Sequence, residues 1–276
     1  MILALQYCHS DRERAMALAR LIADLEDCRR DDVVLVLVKG ADTPSSRIVL
    51  DTAFYCMKKM PTVVLDLPVG CSGWPEGPNT LWTGTMEHLA RHHGLHHSIF
   101  TFDGGDGVPL HANWIDLLLE EHARTLAEGK LVTGLPGLDS TKRPHISGNM
   151  VLELKIWDLL PVLHDTPDHD GWDCYHSKTL EPYTSFSTFL RNDWRKEDLS
   201  QDMFEEYAKT SIWWHGYKDP AFQTMAGDYL IDTLGKKPTS PILKRWQDFA
   251  DFDAQLKVLQ KRHIAEGNSW ATMPDW

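Results

Sequence analysis

Ser98-Ile-Phe-Thr-Phe-Asp-Gly-Gly-Asp-Gly-Val-Pro-Leu110 is the stretch on which the fold turns. Ile99, Phe100 and Phe102 read as a short buried strand that stops on two carboxylates, Asp103 and Asp106, set among Gly104, Gly105 and Gly107. Pro109 breaks the strand, and a helix opens at Trp114. Carboxylates released from a strand end into a Gly-rich loop suit a hard divalent cation, Mn²⁺ or Mg²⁺, with substrate phosphates completing its shell. A loop that uses Asp and Gly only as turn formers is the other reading.

The same strand-to-helix step repeats on the N-terminal side. Residues 2–7 read as a strand, with Ser10 or Asp11 placed to cap a helix over 15–25. Residues 33–38 form a continuous run of Val and Leu, suited to a strand buried on both faces. A helix over 47–60, a strand over 62–67, a helix over 80–92 and the strand at 99–102 follow. Alternating strands and helices predict right-handed βαβ units and an α/β fold with a mostly parallel central sheet flanked by helices. Ligands of such sheets bind beyond the carboxyl ends of the strands, where the Asp103–Asp106 loop lies.

The second half is less periodic. Strands are expected at 130–134 and 145–152, and a helix at 157–163. Residues 165–217, rich in Trp, Tyr, His and Asp, read as loop-dominated, and 248–263 as a C-terminal helix before a tail. No internal repeat or low-complexity linker interrupts the 276 residues, so one domain over 1–276 with an elaborated C-terminal half is expected.

Composition narrows the class. The hydrophobic share of 42% and aromatic share of 10% are those of a globular protein with a full core. The longest apolar runs are too short to span a bilayer. Five cysteines without C-x-x-C spacing argue against a disulfide framework and a structural zinc site, and point to a reducing cytoplasm. A net charge of −12 argues against tight nonspecific affinity for duplex DNA. No P-loop, G-x-G-x-x-G or G-x-S-x-G motif is present.

Three further stretches carry candidate chemistry. Gly73-Trp-Pro-Glu-Gly-Pro-Asn79 joins a strand to a helix, with Asn79 placed to cap it, and backbone N–H groups at a helix start suit an anion. Trp172 beside Asp173 can line a sugar, the ring on its C–H face and the carboxylate on its hydroxyls; a core Trp and a capping Asp is the alternative. Trp213-Trp-His-Gly-Tyr-Lys-Asp219 delivers His215, a metal ligand when neutral, and Lys218, a point charge for phosphate, on either side of Gly216. His92-His93 and His96-His97 lack carboxylate or Cys partners at ligand spacing and read as a solvated helix end.

These motifs line up in order. Together with His9-Ser-Asp-Arg12 and His145-Ile-Ser-Gly-Asn149, over roughly residues 1–230, the chain resembles metal-dependent GT-A-fold nucleotide-sugar glycosyltransferases, particularly small ones of phage and bacterial genomes. That family carries a D-x-D motif; here the spacing is D-x-x-D, and Asp106 matches best the carboxylate before the Pro-Leu segment. The resemblance implies a UDP-sugar donor such as UDP-glucose, with residues 1–110 as the donor-binding half, 111–235 as the acceptor half and 236–276 as C-terminal helix and tail. It implies that Asp106 and His215 hold Mn²⁺ or Mg²⁺ on the diphosphate while Lys218 offsets the leaving group's charge. His9, Asp11, Arg12, Gly73, Trp74 and Asn79 would take uridine or ribose, Gly148 and Asn149 the donor sugar, and Asp173 the acceptor hydroxyl. Three roles stay open for Asp103: ribose binding, metal binding through water, or shaping the loop. The implied acceptor is a 5-hydroxymethylpyrimidine base of phage DNA, flipped from the stack, with a saccharide or lipid-linked glycan second. A phosphohydrolase and a non-catalytic nucleotide-sugar binder are the other classes.

Overall fold

Val, Leu and Ile dominate the central strands because both faces of the sheet are covered. The computed structural model describes residues 1–71, 73–93, 97–138, 144–192, 199–218 and 221–234. The expected helix over 248–263 and the tail lie outside them. The N-terminal half runs β1 (Ile2–Gln6), α1 (Arg12–Leu25), β2 (Val34–Gly40), α2 (Arg47–Cys56), β3 (Thr62–Leu67), α3 (Glu76–His93) and β4 (Ser98–Asp103). After the acidic loop come β5 (Gly107–Pro109), α4 (Trp114–Ala127), β6 (Val132–Gly134), β7 (Pro136–Leu138), β8 (Pro144–Ile146), β9 (Met150–Glu153) and α5 (Ile156–Leu159). The last described elements are α6 (Trp172–Leu180), β10 (Thr184–Phe186), β11 (Leu190–Asn192), α7 (Gln201–Ala208), β12 (Trp213–His215) and α8 (Ala221–Leu234).

Seven strands form the main sheet in the order β10-β6-β9-β4-β1-β2-β3. β9 alone runs against its neighbours, antiparallel to both β4 and β6; the other pairs are parallel. Strand side chains alternate between faces, and two cores result. Leu3, Leu5, Leu35, Leu37, Phe100 and Phe102 face α1, α2 and the small sheet. Ile2, Ala4, Val36, Val38 and Ile99 face α3 and α6, where Trp82 stacks on Trp172 with centroids 4.1 Å apart. A three-stranded sheet, β11-β12-β5, packs on the first face through Trp213, which meets Phe100, Phe102 and Trp114.

The second half departs from the expected elements. The strand expected at 145–152 is two strands, β8 and β9, parted by Ser147, Gly148 and Asn149. The helix expected at 157–163 is a one-turn α5 followed by a 3₁₀ turn, Pro161–His164, because a proline cannot continue the α-helical ladder. The loop-dominated region contains α6, α7 and three strands of three residues each. α3 starts at Glu76, directly after Pro75, so Asn79 lies inside the helix and does not cap its start.

Candidate active site

β4 and β12 build the site from opposite ends of the chain. β4 pairs with β1 up to Asp103, opposite Gln6, and the Gly104 N–H donates to the Gln6 carbonyl at 2.7 Å. There the chain turns sharply under α1. A Cβ on Gly104 would lie 2.5 Å from the Ala15 Cβ, so this position cannot carry the acidic side chain of a D-x-D motif. The first carboxylate therefore falls one residue earlier, on Asp103, three residues before Asp106. β5 then pairs with β12, with Gly107 opposite His215, and the Gly216 N–H donates to the Asp106 carbonyl at 2.8 Å. A Cβ on Gly107 would lie 2.7 Å from Trp213 Nε1, so the close pairing needs glycine there.

This register gathers Asp103, Asp106 and His215, whose ligand atoms all lie within 4.8 Å of one another. His215 Nε2 is 3.6 Å from Asp106 Oδ1 and 3.8 Å from Asp103 Oδ2, ion-pair distances too long for direct hydrogen bonds. His215 Nδ1 lies 3.2 Å from Asn192 Oδ1, so an Nδ1–H donated there turns Nε2 toward the carboxylates. Lys218 Nζ stands 3.6 Å from Asp106 Oδ2 with its side chain mostly in solvent. Asp106 Oδ1 is buried and has no hydrogen-bond partner among the described residues.

Charge in this group is shared rather than cancelled. The desolvating walls of the cleft, and then the Asp106 charge, push the Asp103 carboxyl up to about 7. Burial works against ionised Asp106 too, but His215, Lys218 and Arg14 outweigh it and hold that carboxyl below the usual range. Burial lowers His215, and the carboxylates, Asp106 first, more than reverse this, so its imidazole holds a proton above the usual pH. Two carboxylates and an imidazole clustered around a retained proton are donor types that could hold a divalent cation, which binds such groups by displacing their protons.

These three side chains open into a cleft of about 830 Å³. Asp11, Gly73, Trp74, Gly148, Asn149, Asp173 and Lys218 line it along with the acidic loop and His215. Among the expected binders, His9, Arg12 and Asn79 do not. His9 is exposed in the first turn, and Arg12 is the first residue of α1. Asn79 is fully buried: its Nδ2 donates to the Pro167 and Asp170 carbonyls, each at 2.8 Å, and its Oδ1 accepts the Trp172 N–H at 2.7 Å. It ties α3 to the loop that enters α6. Trp172 is a core residue under the cleft wall, only 5% exposed, whereas Trp74 is 73% exposed. Asn149 is likewise buried, its Oδ1 accepting Trp213 Nε1–H at 3.2 Å.

Asp173 sits in the first turn of α6, its Oδ1 accepting the Cys174 N–H at 2.9 Å. Burial raises its carboxyl, with His145 and the Cys174 and Gly148 N–H groups opposing. His145, Asp173 and Cys174 form a second cluster within 4.8 Å. Arg14 is a further contributor. It pairs with Asp11, donates from Nη1 to the Lys218 carbonyl at 2.7 Å and packs over Gly105. Its place three residues after Asp11, on the first turn of a helix whose start borders the cleft, was the available signal.

No family model matches the chain, and no curated protein matches it. Among solved structures the chain is similar to the bifunctional glycosyltransferase WbbM, with a TM-score of 0.56 at 12% identity over 89% of this chain and 51% of that one. It is similar to an active-site variant of LgtC, with a TM-score of 0.51 at 8% identity over 90% of this chain and 99% of that one. A third neighbour is the glycosyltransferase GlyE of Streptococcus pneumoniae TIGR4, with a TM-score of 0.50 at 10% identity over 90% of this chain and 64% of that one. The chain has the GT-A-like α/β fold of these glycosyltransferases, a mostly parallel sheet flanked by helices.

Proposed function

We propose that the protein is a metal-dependent glycosyltransferase that moves a sugar from a nucleoside diphosphate, on the resemblance a UDP-sugar, to an acceptor hydroxyl. The observation that carries this reading is the convergence of Asp103, Asp106 and His215 within 4.8 Å in a cleft at the strand ends, with Lys218 beside them. The buried Asp106 Oδ1 that lacks a hydrogen-bond partner among the described residues fits a ligand to Mn²⁺ or Mg²⁺. When bound, the cation supplies positive charge against the diphosphate.

The chain's own residues supply the rest. Lys218 Nζ reaches the same charge from the solvent side and stabilises the departing phosphate oxygen. Gly148 lies against Trp172 and Asp173: a Cβ there would be 3.2 Å from the Trp172 ring and 3.5 Å from Asp173 Oδ2. In the transfer, the bond from the acceptor oxygen to the anomeric carbon forms and the bond to the diphosphate oxygen breaks. The acceptor proton passes to the Asp173 carboxylate, whose raised affinity for a proton suits a general base; in a retaining reaction Asp173 positions the sugar instead. For the acceptor, the resemblance leaves two classes, a 5-hydroxymethylpyrimidine base in DNA and a saccharide or lipid-linked glycan.

The test is Asp106→Ala against a panel of UDP-sugars with Mn²⁺. Loss of turnover in a variant that still melts cooperatively is expected, and undiminished turnover removes this site. Release of free sugar and UDP by the native protein without any acceptor favours a hydrolase. UDP affinity with neither metal dependence nor turnover favours a binding protein.

A further inference from the structure

The Lys and Arg side chains of the cleft lie on one side of it, among Asp103, Asp106 and Asp11. Around Asp106 stand Lys218, His215 and Arg14, a cationic surround for a diphosphate. The other wall comes from the loop into α3 and the loop into α6. Residues 69–79 and 165–175 contain Glu76, Asp165, Asp168, Asp170 and Asp173, and no Lys or Arg. The basic side chain there, His169, is paired with Asp168 at 2.5 Å.

Trp74 stands on this acidic wall. The Trp74 ring packs on Gly171, where a Cβ would lie 2.9 Å from the ring and 2.7 Å from Asp173 Oδ1. Ring, glycine and carboxylate thus make one continuous floor, with Trp74 73% exposed above it. The resemblance assigns Trp74 to uridine or ribose, but these contacts place it at the end of the cleft that holds Asp173.

We infer that the acceptor is a neutral saccharide that lays one ring face on Trp74 and presents a hydroxyl to Asp173; this rests on the glycosyl-transfer reading. A sugar's C–H face covers an aromatic ring, and its hydroxyls donate to carboxylates. A nucleic-acid base also stacks on Trp, at similar strength. Its flanking phosphates, however, would meet Asp170 and Asp173 on this wall, in two loops that contain no Lys or Arg to replace their counterions, and that electrostatic term supplies most nucleic-acid affinity.

The experiment uses the full chain with UDP and Mn²⁺. Saturation-transfer NMR probes a panel of neutral mono- and oligosaccharides. Fluorescence anisotropy probes single- and double-stranded oligonucleotides containing 5-hydroxymethylcytosine at about 50 mM salt, where phosphate contacts are strong. Saccharide signals from the native protein are expected, at least tenfold weaker in Trp74→Ala and retained in Trp74→Phe, with no oligonucleotide binding. The double variant Asp165→Lys/Asp168→Lys is expected to gain oligonucleotide affinity at least tenfold. Sugar transfer to the oligonucleotide by the native protein overturns the inference, as does saccharide signal undiminished in Trp74→Ala. UDP binding with no saccharide signal from any panel member overturns it while leaving glycosyl transfer standing; failure of the native protein to bind UDP removes glycosyl transfer itself.

Discussion

Binding of Mn²⁺ is expected to weaken about tenfold or more between pH 8 and pH 6. Asp103 titrates at about 7 in the metal-free protein, so it is about nine-tenths ionised at pH 8 and one-tenth at pH 6. A cation must displace that proton, which lowers apparent affinity about tenfold, or about 1.4 kcal/mol. His215, raised above its usual value, adds to the loss in the same direction. At a concentration 100 times the dissociation constant at pH 8, Mn²⁺ stabilises the fold by about 2.7 kcal/mol, and at pH 6 the same concentration yields about 1.4 kcal/mol. Without metal the sign is opposite. Between pH about 3.8 and 7 the folded chain keeps a proton on Asp103 that the unfolded chain releases, so stability falls as pH rises. For a shielded group this is about 4 kcal/mol; the Asp103 side chain is 51% exposed, and screening reduces it to the order of 1–2 kcal/mol. The His215 contribution is present below about 6.5 and lost as pH climbs through its raised value. That of Asp106 is present above the usual carboxylate range and lost in acid. Calorimetric titration of Mn²⁺ at pH 6, 7 and 8, with melting curves alongside, reads both effects. Equal affinity at all three values, or a pH dependence that survives Asp103→Asn, would refute the reasoning.

Gly104→Asp, which restores a D-x-D spacing, is expected to destabilise by about 1–3 kcal/mol through overpacking on Ala15; an unchanged urea midpoint would contradict the tight turn. Asn79→Ala strands two carbonyls and the Trp172 N–H and is expected to cost about 2–4 kcal/mol. Retained full stability in that variant would show the α3–α6 tie to be dispensable. Lys218→Ala is expected to lower turnover about 10- to 100-fold while Mn²⁺ affinity shifts less than about threefold, since its ammonium offsets developing charge and holds no metal. A loss confined to metal affinity would assign Lys218 a different role.

The N-terminal half was legible because β1, β2 and β4 are buried on both faces, so Val33 to Val38 and Ile99 to Phe102 read as continuous apolar runs. The second half was opaque for two reasons. β10, β11 and β12 have three residues each, too few for periodicity to register. The contacts that place them are nonlocal: Trp213 fits against Phe100 and Phe102, and nothing in either segment alone announces the other. In the site, Asp106, His215 and Lys218 were nominated by motif order, and the structure brings them together. The tie made by Asn79 was not legible, and Trp172 stood open between core and cleft, because burial cannot be read from residue type. An exposed Trp74 and a stacked Trp172 look alike in sequence, and a buried Asn that satisfies three backbone groups looks like a cap.

The β5–β12 pairing has a consequence for the order of events in folding. Asp106 and His215 lie more than a hundred residues apart and meet only when the last third of the described chain has docked on the first half. Such distant pairing closes late, because the entropy of a long loop must be overcome before any contact rewards it. The Asp103–Asp106–His215 cluster is thus a property of the finished topology. A chain that has formed its parallel sheet but not yet seated Trp213 would be compact, and chemically silent.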